Sequence, residues 1–140
     1  MHTSFSPLRT PLRLTVMAAL LASLSVPALA ASDVVISQVY GGGGNNGALY
    51  RNDFIELFNR GASPVNLSNW SVQYASAAGS TWAVTALPAI DLQAGQYLLV
   101  QQAKGTGGTQ DLPTPDATGS LAMSGTAGKV LLSNNKTAQT

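Results

Sequence analysis

From Asp33 onward the chain repeats one pattern: a short run with apolar residues at alternate positions, then a cluster of Gly, Asn, Ser or Pro. A period of two places one face of an extended segment against a core and the other toward solvent. The runs recur at roughly 8–12 residues, the rhythm of an all-β sandwich or barrel. Val34–Tyr40 reads as a first strand, apolar at most positions and so expected to be buried on both sides or to lie near the sheet centre. Asp53–Phe58 is a second. Trp70, Val72 and Tyr74 alternate with Ser71 and Gln73, which predicts a strand with the large residues inward and the two polar ones outward. Trp82-Ala83-Val84 forms a short segment, and Tyr97–Gln101 follows a tight corner at Gln93–Gln96 as a long buried strand. Leu121 and Met123 line another short segment, and Lys129–Ser133 is the last strand.

Between Lys104 and Gly119 the chain is rich in Gly, Thr, Pro and Asp. Pro113 and Pro115 cannot donate to a ladder interior, so this stretch is expected to be a mobile surface loop. After Val130-Leu131-Leu132, the residues Ser133-Asn134-Asn135-Lys136 suit a hairpin turn, yet only four residues follow. The expectation is a domain whose C-terminal strands are missing, the front of a longer protein, with an apolar last strand left without its returning partner.

The first thirty residues stand outside this pattern. Arg9 and Arg13 precede an apolar run, Leu14–Val26, of 13 residues; Pro27 breaks it, and Ala28-Leu29-Ala30 has the small-x-small form of a cleavage site. This is a signal peptide over 1–30, with a helical apolar centre too short for a bilayer that needs about 20 apolar residues. Cleavage after Ala30 is expected, leaving residues 31–140 as one β domain in a secreted, extracellular or periplasmic setting with no membrane span. Two of the seven Lys/Arg leave with the leader and none of the six acids does, so the remaining chain has five bases and a net charge of −1. Arg51, Arg60, Lys104, Lys129 and Lys136 are scattered, which gives no basic patch for nucleic acid.

The chain has no cysteine, and its one histidine is His2, within the leader. Disulfides, thiol chemistry, Cys or His metal sites and His-based proton transfer therefore lack their side chains after residue 30. Gly42-Gly43-Gly44-Asn45-Asn46-Gly47 fits G-x-G-x-x-G, and Tyr50, Phe54, Leu57 and Phe58 have helical spacing after it. A dinucleotide site would need that helix and an acid about 20 residues on, where Leu67 stands; a flexible strand connection is the favoured reading. Gly125-Thr126-Ala127-Gly128-Lys129 lacks the first glycine of a phosphate loop and has Val130 where Ser or Thr would hold magnesium. No G-x-S-x-G elbow is present.

Asp53 and Glu56 are the only closely spaced carboxylates. On a strand they point to opposite faces, Asp53 with Ile55 and Leu57, Glu56 with Phe54 and Phe58, so they form no acid/base pair. Asp53 is expected to brace the glycine loop, and Glu56 to meet a Lys, Arg or main-chain group across the sheet. Asp53, Asn45 and Asn46 with main-chain carbonyls are a candidate calcium site by ligand chemistry, although the spacing matches no EF-hand. Trp70, Trp82, Tyr74 and Tyr97 are candidates for an exposed stacking platform for sugars or bases, but aromatics spaced along strands are more often core, and the alternation around Trp70 favours core there. Trp82, in a Gly/Ser-rich stretch, is the candidate surface residue for binding, for instance a glycan.

Three blocks together resemble the lamin tail domain family in its bacterial secreted branch. They are Val35-Ile36-Ser37-Gln38-Val39-Tyr40-Gly41-Gly42, Asn52-Asp53-Phe54-Ile55-Glu56-Leu57-Phe58-Asn59, and Pro64-Val65-Asn66-Leu67-Ser68-Asn69-Trp70-Ser71-Val72-Gln73-Tyr74. Leu112–Asp116 leading to Ser124–Val130 extends the match, so that it covers about Ser32 to Leu132. The resemblance implies an all-β, immunoglobulin-like β-sandwich and a non-catalytic binding or structural module without catalytic residues or cofactor. It also implies an accessory position, N-terminal to an extracellular nuclease of the endonuclease/exonuclease/phosphatase type. Its partner would be an unidentified macromolecule or a covalently linked downstream domain. The alternatives are a part of a secreted metal-dependent nuclease or hydrolase whose catalytic domain lies beyond residue 140, and a cell-surface glycan-binding module.

Overall fold

Asn52–Asn59 is the segment around which the chain assembles. It alternates two apolar sets, one facing the core and one facing outward, and both of its edges are paired. The computed structural model describes residues 32–140; the predicted leader and its cleavage site lie outside the described residues. The described strands are β1 (Val34–Tyr40), β2 (Asn52–Asn59), β3 (Val65–Asn66), β4 (Ser71–Ser76), β5 (Ala83–Ala86), β6 (Asp91–Leu92), β7 (Tyr97–Lys104), β8 (Ala117–Thr118) and β9 (Gly128–Ser133). No helix occurs among the described residues, so the helical spacing at Tyr50–Phe58 yields to a strand.

One sheet has the order β1-β2-β7-β8, the other β5-β4-β9, and β3 pairs with β6 at one end. The pairs are antiparallel except β7 with β8. The fold is an immunoglobulin-like β-sandwich. Its core takes Ile55 and Leu57 from β2, Leu98 and Val100 from β7 and Val72 from β4. Leu67, Leu87, Leu121 and Met123 close it from the connections. Full burial of one such side chain contributes about 1.5–3 kcal/mol.

β1 corrects the expectation of a central strand. It is an edge, with β2 as the interior strand, and Val39 is 45% exposed. Its register with β2 slips between Ile36 and Gln38. That bulge at Ser37 resets the alternation, so Gln38 lies opposite Glu56 and Tyr40 opposite Phe54, on the outer face. An unbroken period of two would have sent Gln38 to the same side as Ile36.

Ser71 and Gln73 correct a second expectation. They do sit on the face of β4 away from the core, but both are fully buried. The last residues of the chain fold back over them. The Ser71 hydroxyl donates to the Asn135 carbonyl at 2.6 Å, the Gln73 side-chain Nε2 donates to the Thr137 carbonyl at 2.8 Å, and the Gln139 N–H donates to the Gln73 side-chain Oε1 at 2.9 Å. The last strand, β9, runs antiparallel along β4 from Ser71↔Ser133 to Ser76↔Gly128 and forms the edge of its sheet.

The stretch after Lys104, expected to be a mobile loop, is stitched to the glycine loop. Gly105 N–H donates to the Arg51 carbonyl, Gly107 N–H to the Gly44 carbonyl, and Arg51 N–H to the Gln110 carbonyl. The loop then rejoins the sheet as β8, just beyond the two prolines that cannot enter a ladder. Inside the sandwich Thr85 and Gln102 meet across the two sheets, the hydroxyl donating to the amide oxygen at 3.0 Å. Leu121 N–H donates to the same oxygen. Gly119 is required there because a Cβ would stand 2.2 Å from the Thr85 hydroxyl oxygen and 2.4 Å from that amide oxygen.

Candidate functional site

The glycine loop is built by close approach. A Cβ on Gly43 would lie 2.1 Å from the main-chain carbon of Asn52, and one on Gly44 would lie 2.3 Å from the Cα of Gly105. Gly44 also has φ 72°, a left-handed conformation that glycine adopts without steric cost. Packing, rather than a phosphate, accounts for these glycines. Asp53, 3% exposed, braces them. Its Oδ1 accepts the Gly43 N–H and its Oδ2 the Met123 N–H, both at 2.6 Å.

The candidate calcium ligands are thus placed differently from one another. Asp53 is buried and turned to main-chain donors, while Asn45 and Asn46 are exposed in the turn. The Asn45 amide nitrogen lies beside Gly42 and Gly125. Among the described residues no group of three or more His, Cys, Asp or Glu side chains is arranged to hold a metal ion.

Trp82 is half-buried at the start of β5. The Lys129 ammonium stands 5.6 Å from the centroid of its ring and donates to the Gly79 carbonyl at 2.6 Å. A cation over an indole is worth about 0.5–1 kcal/mol at an exposed site. One side of the candidate stacking residue is therefore already occupied by the protein's own lysine.

The open chemistry lies on the outer face of the four-stranded sheet. Register gives three cross-strand rows: Tyr40–Phe54–Gln101, Gln38–Glu56–Leu99 and Val35–Phe58–Tyr97. In the first row Tyr40 and Phe54 stack at 5.3 Å with planes 7° apart. Tyr50 meets both edge-on, at 5.5 and 5.8 Å. In the third, Phe58 and Tyr97 lie 4.5 Å apart, and Tyr97 is 60% exposed. Between these aromatic pads runs the polar row. Glu56 there accepts the Ser37 hydroxyl at 2.6 Å, so its partner is the bulge serine of β1 rather than a lysine, an arginine or a main-chain group.

Beside Glu56 a cavity of about 320 Å³ opens, walled by Tyr50, Phe54, Leu99, Leu112 and Pro113. Gln38, Glu56 and Thr114 supply its polar groups. Apolar walls with a few convergent polar groups are the usual make-up of a ligand site, and this volume is at the small end of that class. Both ends of the Leu112–Thr114 wall are anchored: Asp116 exchanges two hydrogen bonds with Leu99, and Gln110 accepts from Arg51 N–H.

The model of the Lamin Tail Domain family matches residues 27–139. The chain belongs to the lamin tail domain family. No curated protein matches it. Lamin tail domains are immunoglobulin-like binding or structural modules and not catalysts. In this lamin tail domain, the site residues singled out from sequence fall into separate places: Asp53 and the asparagines at the glycine loop, Trp82 on the opposite sheet. Gln38, Tyr50, Leu99, Leu112 and Pro113 were not singled out. The signal that would have found the face is its apolar outward set. Phe54 and Phe58 alternate with the core-facing Ile55 and Leu57, so two phenylalanines had to point away from the core.

Proposed function

We propose that this lamin tail domain is an exported, non-catalytic recognition module, joined in a larger extracellular bacterial protein to a nuclease-type domain. Its recognition face is the outer side of the sheet formed by β1, β2, β7 and β8. The observation that carries the reading is the contrast between buried and open polar groups. Asp53, Asn59 and Gln73 are tied to main-chain partners inside the fold. Glu56 and Gln38 instead line a concave, aromatic-walled opening. Surface recognition needs such an opening, and residues 31–140 carry no His or Cys, while Asp53 and Glu56 lie on opposite faces of β2 and form no acid/base pair. Export rests on the leader-like pattern of Arg9 to Ala30, and the nuclease linkage on the likeness to secreted bacterial lamin tail domains.

The test uses the full chain produced with its own N-terminus. N-terminal sequencing of the exported product is expected to begin at Ala31. A phosphodiesterase assay with magnesium or calcium is expected to show no turnover. Retention of residues 1–30 in the product would remove the export reading. Turnover lost in Glu56→Gln or Asp53→Asn would replace the module with an enzyme. The downstream reading frame tests the linkage, which a stop directly after codon 140 would remove.

A further inference from the structure

We propose that the cavity beside Glu56 binds an organic cation, the side chain of an arginine or lysine presented by a basic protein segment. This rests on the reading of the outer sheet face as a recognition surface and names what that surface takes.

Charge comes first. Among the described residues, Glu56 is the only charged one lining the cavity. Its Oε1 accepts the Ser37 hydroxyl, and its Oε2 has no hydrogen bond among the described residues. Among the described residues, no lysine or arginine lines the opening. The adjacent Arg51 is turned to Asp111, its guanidinium 2.9 Å from the carboxylate. The cavity thus offers one half-shielded negative charge with no positive partner among the described residues.

The walls then decide what kind of cation. A calcium or magnesium ion needs six or more oxygen ligands or a retained water shell, and it gains little from apolar walls. Tyr50 and Phe54 line the same space as Glu56. An alkylammonium or guanidinium is attracted both to aromatic side chains and to the carboxylate. Leu99, Leu112 and Pro113 provide apolar surface for the methylene stem of a long basic side chain. The Gln38 and Thr114 side chains supply neutral acceptors for its remaining N–H groups.

The site is also prepared in advance. Tyr50 is fixed edge-on against the Tyr40–Phe54 stack. The Tyr40 hydroxyl accepts the N–H of Leu49 at 3.1 Å, which holds the chain entering Tyr50. The far wall is pinned by the paired hydrogen bonds of Asp116 and Leu99. Groups already ordered lose little freedom on binding.

The test is an NMR titration of the full chain with three capped peptides, acetyl-Gly-Arg-Gly-amide, acetyl-Gly-Lys-Gly-amide and the uncharged acetyl-Gly-Gln-Gly-amide. Saturable shifts of the Gln38, Tyr50, Glu56 and Leu112 amides are expected with the two cationic peptides and not with the third. Glu56→Gln is expected to weaken binding about fivefold or more, and Tyr50→Leu, which keeps apolar bulk without the ring, about threefold. Both positions lie outside the core, and an otherwise unchanged spectrum establishes that each variant is folded. Equal binding of the glutamine peptide, or unaltered affinity in folded Glu56→Gln, overturns the proposal. So does the absence of saturable shifts up to the solubility limit of the cationic peptides. Saturable shifts of the same amides with neutral oligosaccharides alone would discard the cation and keep the recognition face. Shifts with none of the probes would discard the cation, while the export and turnover assays judge the module reading separately.

Discussion

Replacing Asp53 should cost more than any other single polar change in this chain, and the structure permits the size to be worked out. The carboxylate is 3% exposed and each oxygen accepts one main-chain N–H at 2.6 Å, from Gly43 and from Met123. It therefore clamps the glycine loop to the segment that carries Met123 into the core. Asp53→Ala leaves two N–H groups near the interior without acceptors, at about 1–3 kcal/mol each. The gross loss is thus about 2–6 kcal/mol, and release of a buried carboxylate from its desolvation penalty offsets part of it. A net loss of about 2–4 kcal/mol is expected, a large share of a domain stability of about 5–15 kcal/mol. Asp53→Asn keeps one acceptor and turns an NH₂ toward the other donor, so at least one bond is lost, at about 1–3 kcal/mol. Urea unfolding followed by the emission of Trp70 and Trp82 reads both, with an unchanged slope marking a change in stability alone. A loss below about 1 kcal/mol for Asp53→Ala would refute the clamp. Calcium discriminates further: wild-type and variant midpoints should be the same with the ion and with chelator. A calcium-dependent gain confined to the wild type would make Asp53 a cation ligand instead.

Gly119→Ala should destabilise by about 1–3 kcal/mol, because the added carbon overlaps the Thr85–Gln102 hydrogen bond that joins the sheets; a neutral result in the same urea assay would show that the junction relaxes freely. Gln73→Ala should release the C-terminal residues at a cost of about 1–2 kcal/mol, since three hydrogen bonds to Ser71, Thr137 and Gln139 are lost while part of the buried surface becomes wet. Hydrogen exchange at the Gln139 amide should then rise toward the unprotected rate, and unchanged protection would mean that the segment is held by something other than Gln73.

The sandwich was legible because its determinants are local. Alternation in Phe54–Phe58 and turn clusters rich in Gly and Asn are properties of adjacent residues, and they locate β1, β2, β4, β7 and β9 with little error. The same locality led to an expectation that Asp53 would brace the glycine loop, which it does. The outer face was less legible because it depends on two events that alternation cannot register. One is the bulge at Ser37, where a single extra residue sends Gln38 and Tyr40 to the side of Glu56 and Phe54. Counting in twos along Val34–Tyr40 gives the opposite face, so Gln38 could not be grouped with Glu56 beforehand. The other is the return of Leu112 and Pro113 across the sheet, from residues more than fifty positions away from Glu56. Proline and threonine in that stretch signal a loop, but nothing local says against which strand the loop rests. The burial of Gln73 follows the same logic, since its cover comes from Thr137 and Gln139. Local chemistry thus sets the strands and their inward sides. Register slips and long-range loop placement set the outward side, and it is there that Glu56 acquires its aromatic walls.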